Sequence, residues 1–213
     1  METTALRGSF RMPFPVGTDP LDIATMPTPP KTSTVEIVRA ARDLIAEQGI
    51  EALTMQAVAD QVGVRGPSLY KHFADRSDLL RAVERTVVAD LQSVLTAASR
   101  SPDDQVALRE MAAAYRRFAK KSPSKYALIF ALHTHDEETE AARRQALEPA
   151  LKRLQNWLGD PSLAFLRARV LTAFLHGFVS MEVAGTFQFG GSIDEAFRAG
   201  IDLLLTRPEK TSR

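Results

Sequence analysis

The 213-residue chain contains no cysteine. This absence excludes disulfide bonds and every form of thiolate chemistry, including catalysis by cysteine, and it fits a reducing compartment. Neither sign of charge is in clear excess, because 27 basic residues oppose 26 acidic ones and the net charge is +1. Overall charge therefore does not indicate a nucleic-acid partner, and any such reading must come from local pattern.

Long apolar runs are also scarce. An apolar segment needs roughly 20 residues to span a bilayer, and we find no uninterrupted apolar run of that length. The N-terminus lacks the basic stretch followed by an apolar run that is typical of a signal peptide. We therefore expect a soluble protein of the cytoplasm. Hydrophobic residues make up 45% of the chain, which is enough to bury a core.

Prolines concentrate at the N-terminal end of the chain. Residues 1–30 hold Pro13, Pro15, Pro20, Pro27, Pro29 and Pro30, and they show no sustained hydrophobic period. We expect a disordered tail over residues 1–30, with a functional arm as the alternative, and a flexible C-terminus over residues 208–213.

Helix signals dominate the remainder, and strand-like alternation is absent, so we predict an all-α fold of about nine helices. Ser33 and Glu36 form a capping box that opens a helix over Thr34–Gln48, which Gly49 ends. Further helix starts are marked by Thr54, Pro67, Asp75 with Asp78, Ser101-Pro102, Ser122-Pro123, Asp160-Pro161 and the Ser192 to Glu195 capping box.

Two of these helices are short and are joined by a turn of about four residues with two glycines. The first runs from Thr54 to Gly63 and the second begins near Pro67. This arrangement is typical of a helix-turn-helix, whose second helix enters the DNA major groove. Small residues lead that second helix and polar or basic groups follow, which favours close approach to a duplex.

The stretch from Thr34 to about Val83 resembles the DNA-binding domain of the TetR family. The resemblance rests on Ala40-Ala41, Leu53-Thr54-Met55, Val58-Ala59, Gly63-Val64, Leu69-Tyr70-Lys71-His72-Phe73 and Leu79-Leu80. It implies a helix-turn-helix domain over residues 31–80 and a helical effector-binding and dimerisation domain over residues 81–207. The function implied is a homodimeric transcriptional regulator, a repressor that a small-molecule effector releases from operator DNA, with no enzymatic activity, cofactor, metal or membrane partner.

Family roles carry over to matching positions. Thr54 would cap its helix and bind a phosphate, and Arg76 would meet a phosphate at the N-terminus of the fourth helix. Arg65 stands where the family often has a serine or threonine, and it would read a guanine or contact a phosphate. Leu69 and Phe73 are expected in the core. The predicted DNA-binding set is Thr54, Arg65, Gly66, Pro67, Ser68, Tyr70, Lys71, His72 and Arg76.

The C-terminal half resembles the TetR subgroup named for a Trp-His-Gly motif, through residues 175–182 and 123–130, with Leu175 in place of tryptophan. The family pairs its last two long helices in a four-helix bundle. Candidate interface residues are Phe165, Leu171, Leu175, Phe178, Val179, Phe197, Ile201 and Leu204. Candidate effector-pocket residues, each also a plausible core residue, are Met111, Tyr115, Phe118, Phe130, Phe174, His176 and Glu182. A buried Glu182 would need a partner, and His176 is one option.

Two other classes of protein fit parts of the sequence. The run from His133 to Glu138 offers imidazoles and carboxylates suited to a metal-dependent enzyme, although acidic residues at a helix start usually serve the helix dipole. A helical interaction protein without DNA binding is the second alternative. The small leading residues and the Tyr70-Lys71-His72 run argue against it.

Overall fold

The computed structural model describes residues 32–131, 136–188 and 190–207. Within these ranges the chain forms nine α-helices and one 3₁₀ turn (Ile50–Ala52), without strands, which confirms the predicted all-α fold. The tail over residues 1–30 and the C-terminus over residues 208–213 lie outside the described residues. The helices are α1 (Thr34–Gln48), α2 (Met55–Val62), α3 (Gly66–Leu69), α4 (Arg76–Ala98), α5 (Asp104–Lys121), α6 (Pro123–Ala131), α7 (Glu137–Leu158), α8 (Pro161–Val183) and α9 (Ile193–Leu204).

Side-chain caps begin most of these helices where the sequence predicts. The Glu36 amide donates to Ser33 Oγ at 3.2 Å, and the Ser33 amide donates to Glu36 Oε2 at 2.9 Å, which completes the capping box. Thr54 Oγ1 accepts from the Ala57 amide at 3.0 Å. These bonds satisfy amides that have no partner within their own helix.

The start of α5 differs from its prediction. The sequence pointed to Ser101-Pro102, but the Asp103 carboxylate accepts from the Val106 amide at 2.8 Å and caps a helix that begins at Asp104. Aspartate is as good a capping residue as serine, so the second of two neighbouring signals set the boundary.

One continuous hydrophobic core runs from α1 to α8, and a smaller one joins α5, α7, α8 and α9. Helix α4 packs against α1, α5, α6 and α7. It is fastened to α1 by the ion pair of Arg42 with Asp90, and to α7 by Arg143, which donates to the fully buried Glu84 at 2.5 and 2.9 Å. The boundary predicted between residues 80 and 81 falls inside α4, and this division stays a prediction.

Helix α8 is long and apolar enough to cross a membrane by length and composition, and little of it is buried. The sequence alone did not indicate this helix as a candidate span, because Arg167 and Arg169 interrupt the apolar run. A single helix of this kind among the described residues is weak evidence for a membrane span.

Helices α8 and α9 approach closely at Gly200. A Cβ atom placed on Gly200 would lie 2.3 Å from Cζ of Phe174. The Phe174 ring in turn packs against Phe178 and Phe197, with centroids 5.5 and 6.1 Å away. The absence of a side chain at Gly200 therefore sets the spacing between these two helices.

Candidate functional site

The helix-turn-helix consists of α2, a turn and α3. Gly63 ends α2 in the left-handed conformation, with φ at 78°, and its amide bonds back into the helix. Only Gly66–Leu69 is regular helix in α3, and residues 70–72 continue it as a turn in which the His72 and Phe73 amides donate to the Leu69 carbonyl. Leu69 and Phe73 are buried, which confirms their predicted place in the core and fixes the orientation of α3.

The residues predicted to contact DNA are accessible with few exceptions. Tyr70 is 57% exposed, and it is joined on the surface by Thr54, Arg65, Pro67, Lys71 and His72. Gly66 and Ser68 are half-buried. A Cβ on Gly66 would lie 3.2 Å from Oε1 of Gln56, so this glycine also lets α3 pack closely on α2. The α3 region thus combines a buried anchor with an exposed set of polar, basic and small residues.

Two of the predicted DNA-binding residues have partners within the chain. His72 Nδ1 lies 3.1 Å from Thr34 Oγ1, which ties the end of α3 to the start of α1. Arg76 donates from Nε to the Leu53 carbonyl at 2.6 Å and from Nη2 to the Ile50 carbonyl at 2.8 Å. Arg76 therefore braces α4 against the segment before α2, a role that sequence reasoning missed. A phosphate contact through its remaining N–H groups stays a prediction.

An aromatic and polar cluster lies where α5, α6 and α8 meet. The hydroxyls of Tyr115 and Tyr126 are 2.8 Å apart, and the Tyr126 hydroxyl is 2.8 Å from His176 Nδ1. The Phe130 ring stacks on the His176 ring with centroids 3.6 Å apart, and Ser180 Oγ lies 3.4 Å from the same Nδ1. Burial lowers the pKa of His176 and raises that of both tyrosines, so neutral forms are favoured.

The structure brings together three of the seven pocket candidates, Tyr115, Phe130 and His176, and separates the rest. Met111 belongs to the core, Phe118 lines a cavity of about 850 Å³ between α4 and α5, and Phe174 packs at the α8–α9 contact. Sequence reasoning missed Tyr126 and Ser180. Their spacing in the sequence could have identified them. Tyr126 lies four residues before Phe130, and Ser180 lies four residues after His176, so each pair shares one helix face.

Glu182 does not pair with His176. Arg116 donates to both of its carboxylate oxygens at 2.7 Å, and Lys120 Nζ lies 2.6 Å from Oε1. These bonds, the pair with Arg116 above all, lower the pKa of Glu182 and keep it ionised. The predicted need for a partner is met across α5 instead of within α8.

The candidate dimer residues divide into covered and accessible ones. Leu171, Val179, Phe197 and Ile201 are buried within the single chain, so their apolar character is explained without a second copy. Leu175, Phe178 and Leu204 are half-buried, and Phe165 is 53% exposed. The burial pattern therefore points to another face of the two helices, which keeps only Phe165 of the eight candidates, and the interface assignment stays a prediction.

That other face is an apolar surface, named here the α8–α9 face. On α8 it carries side chains at successive helical turns, and on α9 it continues through alanines and a leucine. Its most exposed large side chains are Leu166 at 58% and Leu203 at 75%. Its members are Phe165, Leu166, Val170, Ala173, Gly177, Met181, Ala196, Ala199 and Leu203, all of them exposed.

The run proposed as a metal site falls partly outside the described residues, which exclude His133, Thr134 and His135. Of the remainder, Asp136 caps α7 through the Thr139 amide at 2.9 Å, and this bond lowers its pKa. Arg85 lies 3.8 Å from Asp136 and 3.4 Å from Glu138. Across the described ranges no three metal-ligating side chains come together.

Comparison with known families places both halves of the chain. Residues 37–83 match the family described as bacterial regulatory proteins, tetR family, and residues 108–204 match the tetracyclin repressor-like C-terminal domain. Neither match tests the Trp-His-Gly subgroup, which stays a prediction.

Individual relatives agree with these matches. An uncharacterized HTH-type transcriptional regulator of Mycobacterium tuberculosis is 36% identical over 167 residues, which cover 76% of either chain. A protein of unknown function from Rhodococcus sp. RHA1 has a similar structure, with a TM-score of 0.71, 21% identity, and coverage of 80% of this chain and 92% of that one. A TetR variant from Acinetobacter baumannii AYE, solved in complex with minocycline, is 23% identical and has a TM-score of 0.62. The match covers 81% of this chain and 94% of that one. The two structures share the fold, and the sequence relative is named as a transcriptional regulator. The chain therefore belongs to the TetR family of transcriptional regulators and carries that family's DNA-binding helix-turn-helix on its N-terminal side.

Proposed function

We propose that the protein acts in the cytoplasm as a homodimeric repressor, which a small-molecule effector releases from a pseudo-palindromic operator. The observation that carries the proposal is the α3 region, in which the buried Leu69 and Phe73 hold Arg65, Tyr70 and Lys71 exposed. This region lies within the part of the chain that matches the family's DNA-binding domain. A metal-dependent enzyme or a DNA-independent interaction module is not favoured by membership of this family.

Contacts to phosphate and to bases are assigned to different residues. Lys71 is exposed at the end of α3 and is suited to a phosphate, as is the Thr54 hydroxyl at the start of α2. Arg65 precedes the first turn of α3, where a bidentate contact with guanine is within reach of the major groove. Phosphate contacts would position the protein, and Arg65 would supply sequence preference.

Dimerisation is proposed through the α8–α9 face. One recognition helix covers only a few base pairs, so specific binding needs two of them about 34 to 36 Å apart or a multiple of that distance. A two-fold axis provides this pair and imposes its symmetry on the operator. Large exposed side chains such as Leu166, Val170 and Leu203 give the face the apolar character of a homodimer interface.

Effector binding is proposed for the helices of the C-terminal half. The minocycline complex of the Acinetobacter protein shows that a neighbour with this fold takes a small molecule. Here the cluster of Tyr115, Tyr126 and His176 supplies aromatic walls and hydroxyl groups, a composition common in ligand sites. An effector that prefers the non-binding conformation would lower DNA affinity, and operator DNA would lower effector affinity by the same factor.

Fluorescence anisotropy with the promoter of the protein's own gene tests the DNA assignment. We expect Lys71→Ala to weaken binding to all sequences alike and to reduce the salt dependence by about one unit of slope. Arg65→Ala should instead relax the preference at one base pair. Lys152→Ala, an exposed cation on α7, is the matched control and should change neither quantity. A Lys71 variant with altered base preference and an unchanged slope would contradict the assignment.

A further inference from the structure

A cavity of about 950 Å³ lies between α5 and α9. Helix α5 supplies one wall from residues that recur every three or four positions and therefore share a face. Helix α9 supplies the other wall. Six cationic side chains line the cavity, Arg109, Arg116, Arg117, Lys120, Lys121 and Arg198.

Three of these cations are matched by acidic residues. Arg116 Nη2 lies 2.7 Å from Asp194 Oδ1, while its Nε and Nη2 also hold Glu182, which Lys120 shares. At the other end of the cavity Arg109 Nε lies 2.7 Å from Asp202 Oδ1. These pairs use both aspartates of the α9 wall and connect the two helices.

The other three cations have no acidic partner among the residues that the structure describes. Arg117 and Lys121 lie one turn apart on α5. Arg198 donates from Nε to the main-chain carbonyl of Asp194 at 3.3 Å, which leaves its charge uncompensated. Glu110 also lines the cavity and offsets one charge. With Glu182 included, the cations outnumber the acidic residues by two.

We propose that this cavity binds a phosphate monoester of a small organic molecule about the size of a nucleotide. A phosphate monoester carries about −1.5 to −2 charges at pH 7, which balances the two excess positive charges. Arginine binds phosphate through paired N–H donors, and Arg117 and Arg198 stand on opposite walls with such donors.

The size and lining of the cavity also suit the organic part of such a ligand. Its volume lies near the upper end of the usual range for small-molecule sites and greatly exceeds the size of a phosphate ion. Ala113 lines it together with the aliphatic stems of the cations, and the buried Phe197 and Ile201 lie at its base. An ion alone would leave most of this volume filled with water.

The site is separate from the proposed DNA and effector contacts. It uses the side of α9 that bears Asp194, Arg198 and Asp202, and no residue of the α8–α9 face lines it. Binding can therefore be measured on the full-length protein without DNA, and its failure would leave the proposed operator binding untouched.

Isothermal titration calorimetry tests the proposal with AMP and glucose 6-phosphate, which carry the same charged group on different organic parts. Adenosine and inorganic phosphate are the comparison ligands. The cavity variant is Arg117→Ala with Lys121→Ala. The matched control is Arg144→Ala with Lys152→Ala, two exposed cations of α7. Thermal unfolding of every variant confirms that the helices remain folded.

We expect at least one phosphate monoester to bind, adenosine not to bind, and inorganic phosphate to bind at least tenfold more weakly than the ester. The cavity variant should lose at least tenfold in affinity, since each deleted cation removes charge-assisted bonds, while the control variant should match the wild type. The proposal is overturned if neither ester binds at about 1 mM, if the control variant loses as much affinity as the cavity variant, or if inorganic phosphate binds as tightly as the esters, which would show an adventitious ion only.

Discussion

Glutamates placed on the α8–α9 face should separate the proposed dimer without unfolding the protomer. The double variant Leu166→Glu with Leu203→Glu is suited to this purpose, because these side chains are 58% and 75% exposed in the single chain. A charge at either position stays in water in the monomer but would be buried in a dimer. The variant therefore acts on association and leaves the core intact.

The size of the effect follows from the exposed fractions. Full burial of a leucine contributes about 1.5 to 3 kcal/mol, so the surface still available on these two side chains is worth about 3 kcal/mol per protomer. Two-fold symmetry doubles the loss to about 6 kcal/mol per dimer. At about 1.4 kcal/mol per tenfold change, the dimer dissociation constant rises by about four orders of magnitude, and burial of unpaired carboxylates adds to this.

Analytical ultracentrifugation at micromolar concentration provides the assay. We expect a dimer for the wild type and for the control Leu147→Glu, which makes the same change at a side chain of α7 that is 44% exposed. The double variant should be a folded monomer with a helical circular dichroism spectrum and greatly reduced operator affinity. The reasoning is refuted if the double variant remains a dimer, or if the wild type is a monomer that still binds its operator.

Three further variants test individual contacts. Gly200→Ala should destabilise the protein by about 1 to 3 kcal/mol in urea unfolding, because the new methyl group meets the Phe174 ring, and Phe174→Leu in the same chain should recover part of the loss. His176→Gln should flatten the pH dependence of stability. Burial lowers the pKa of His176 below its ordinary value of 6.5, so near and below pH 6.5 the unfolded chain binds a proton more readily than the folded chain. Wild-type stability therefore falls as the pH drops through 6.5 towards the lowered pKa of the folded state; an equally steep fall in the variant would contradict this. Arg76→Met should lower the melting temperature, because the Leu53 and Ile50 carbonyls lose a charged donor, and should also reduce the salt slope of DNA binding by about one unit through loss of the predicted phosphate contact; an unchanged melting temperature would contradict the bracing role, and an unchanged slope would contradict the phosphate contact.

Local signals predicted the helix boundaries well, because a cap needs only a few neighbouring residues. The capping box at Ser33 and the left-handed Gly63 illustrate this, and both are found in the structure. The burial of Leu69 and Phe73 was predictable for a related reason, since the helix-turn-helix is short and its packing follows from a contiguous stretch of sequence.

Contacts between distant segments were not predictable in the same way. An apolar residue such as Phe197 has the same sequence pattern whether it is buried within its own chain or against a second copy. The sequence alone therefore did not distinguish core residues from interface residues. The bonds of Arg76 to carbonyls more than twenty residues earlier depend on how the chain turns back. The pairing of Glu182 with Arg116 likewise crosses between helices that are far apart in sequence.

The continuity of α4 has a mechanical consequence. Its 23 residues form a rod about 34 Å long that begins beside α3 and passes without interruption into the helices of the C-terminal half. The bond between Glu84 and Arg143 holds this rod to α7 near one third of its length, and that bond can serve as a fulcrum. A tilt of about 15° about this point moves the α3 end of the rod, which is about 12 Å away, by about 3 Å. Such a displacement is comparable to the length of a hydrogen bond, so a lever movement of this size is enough to take a recognition helix out of register with the groove.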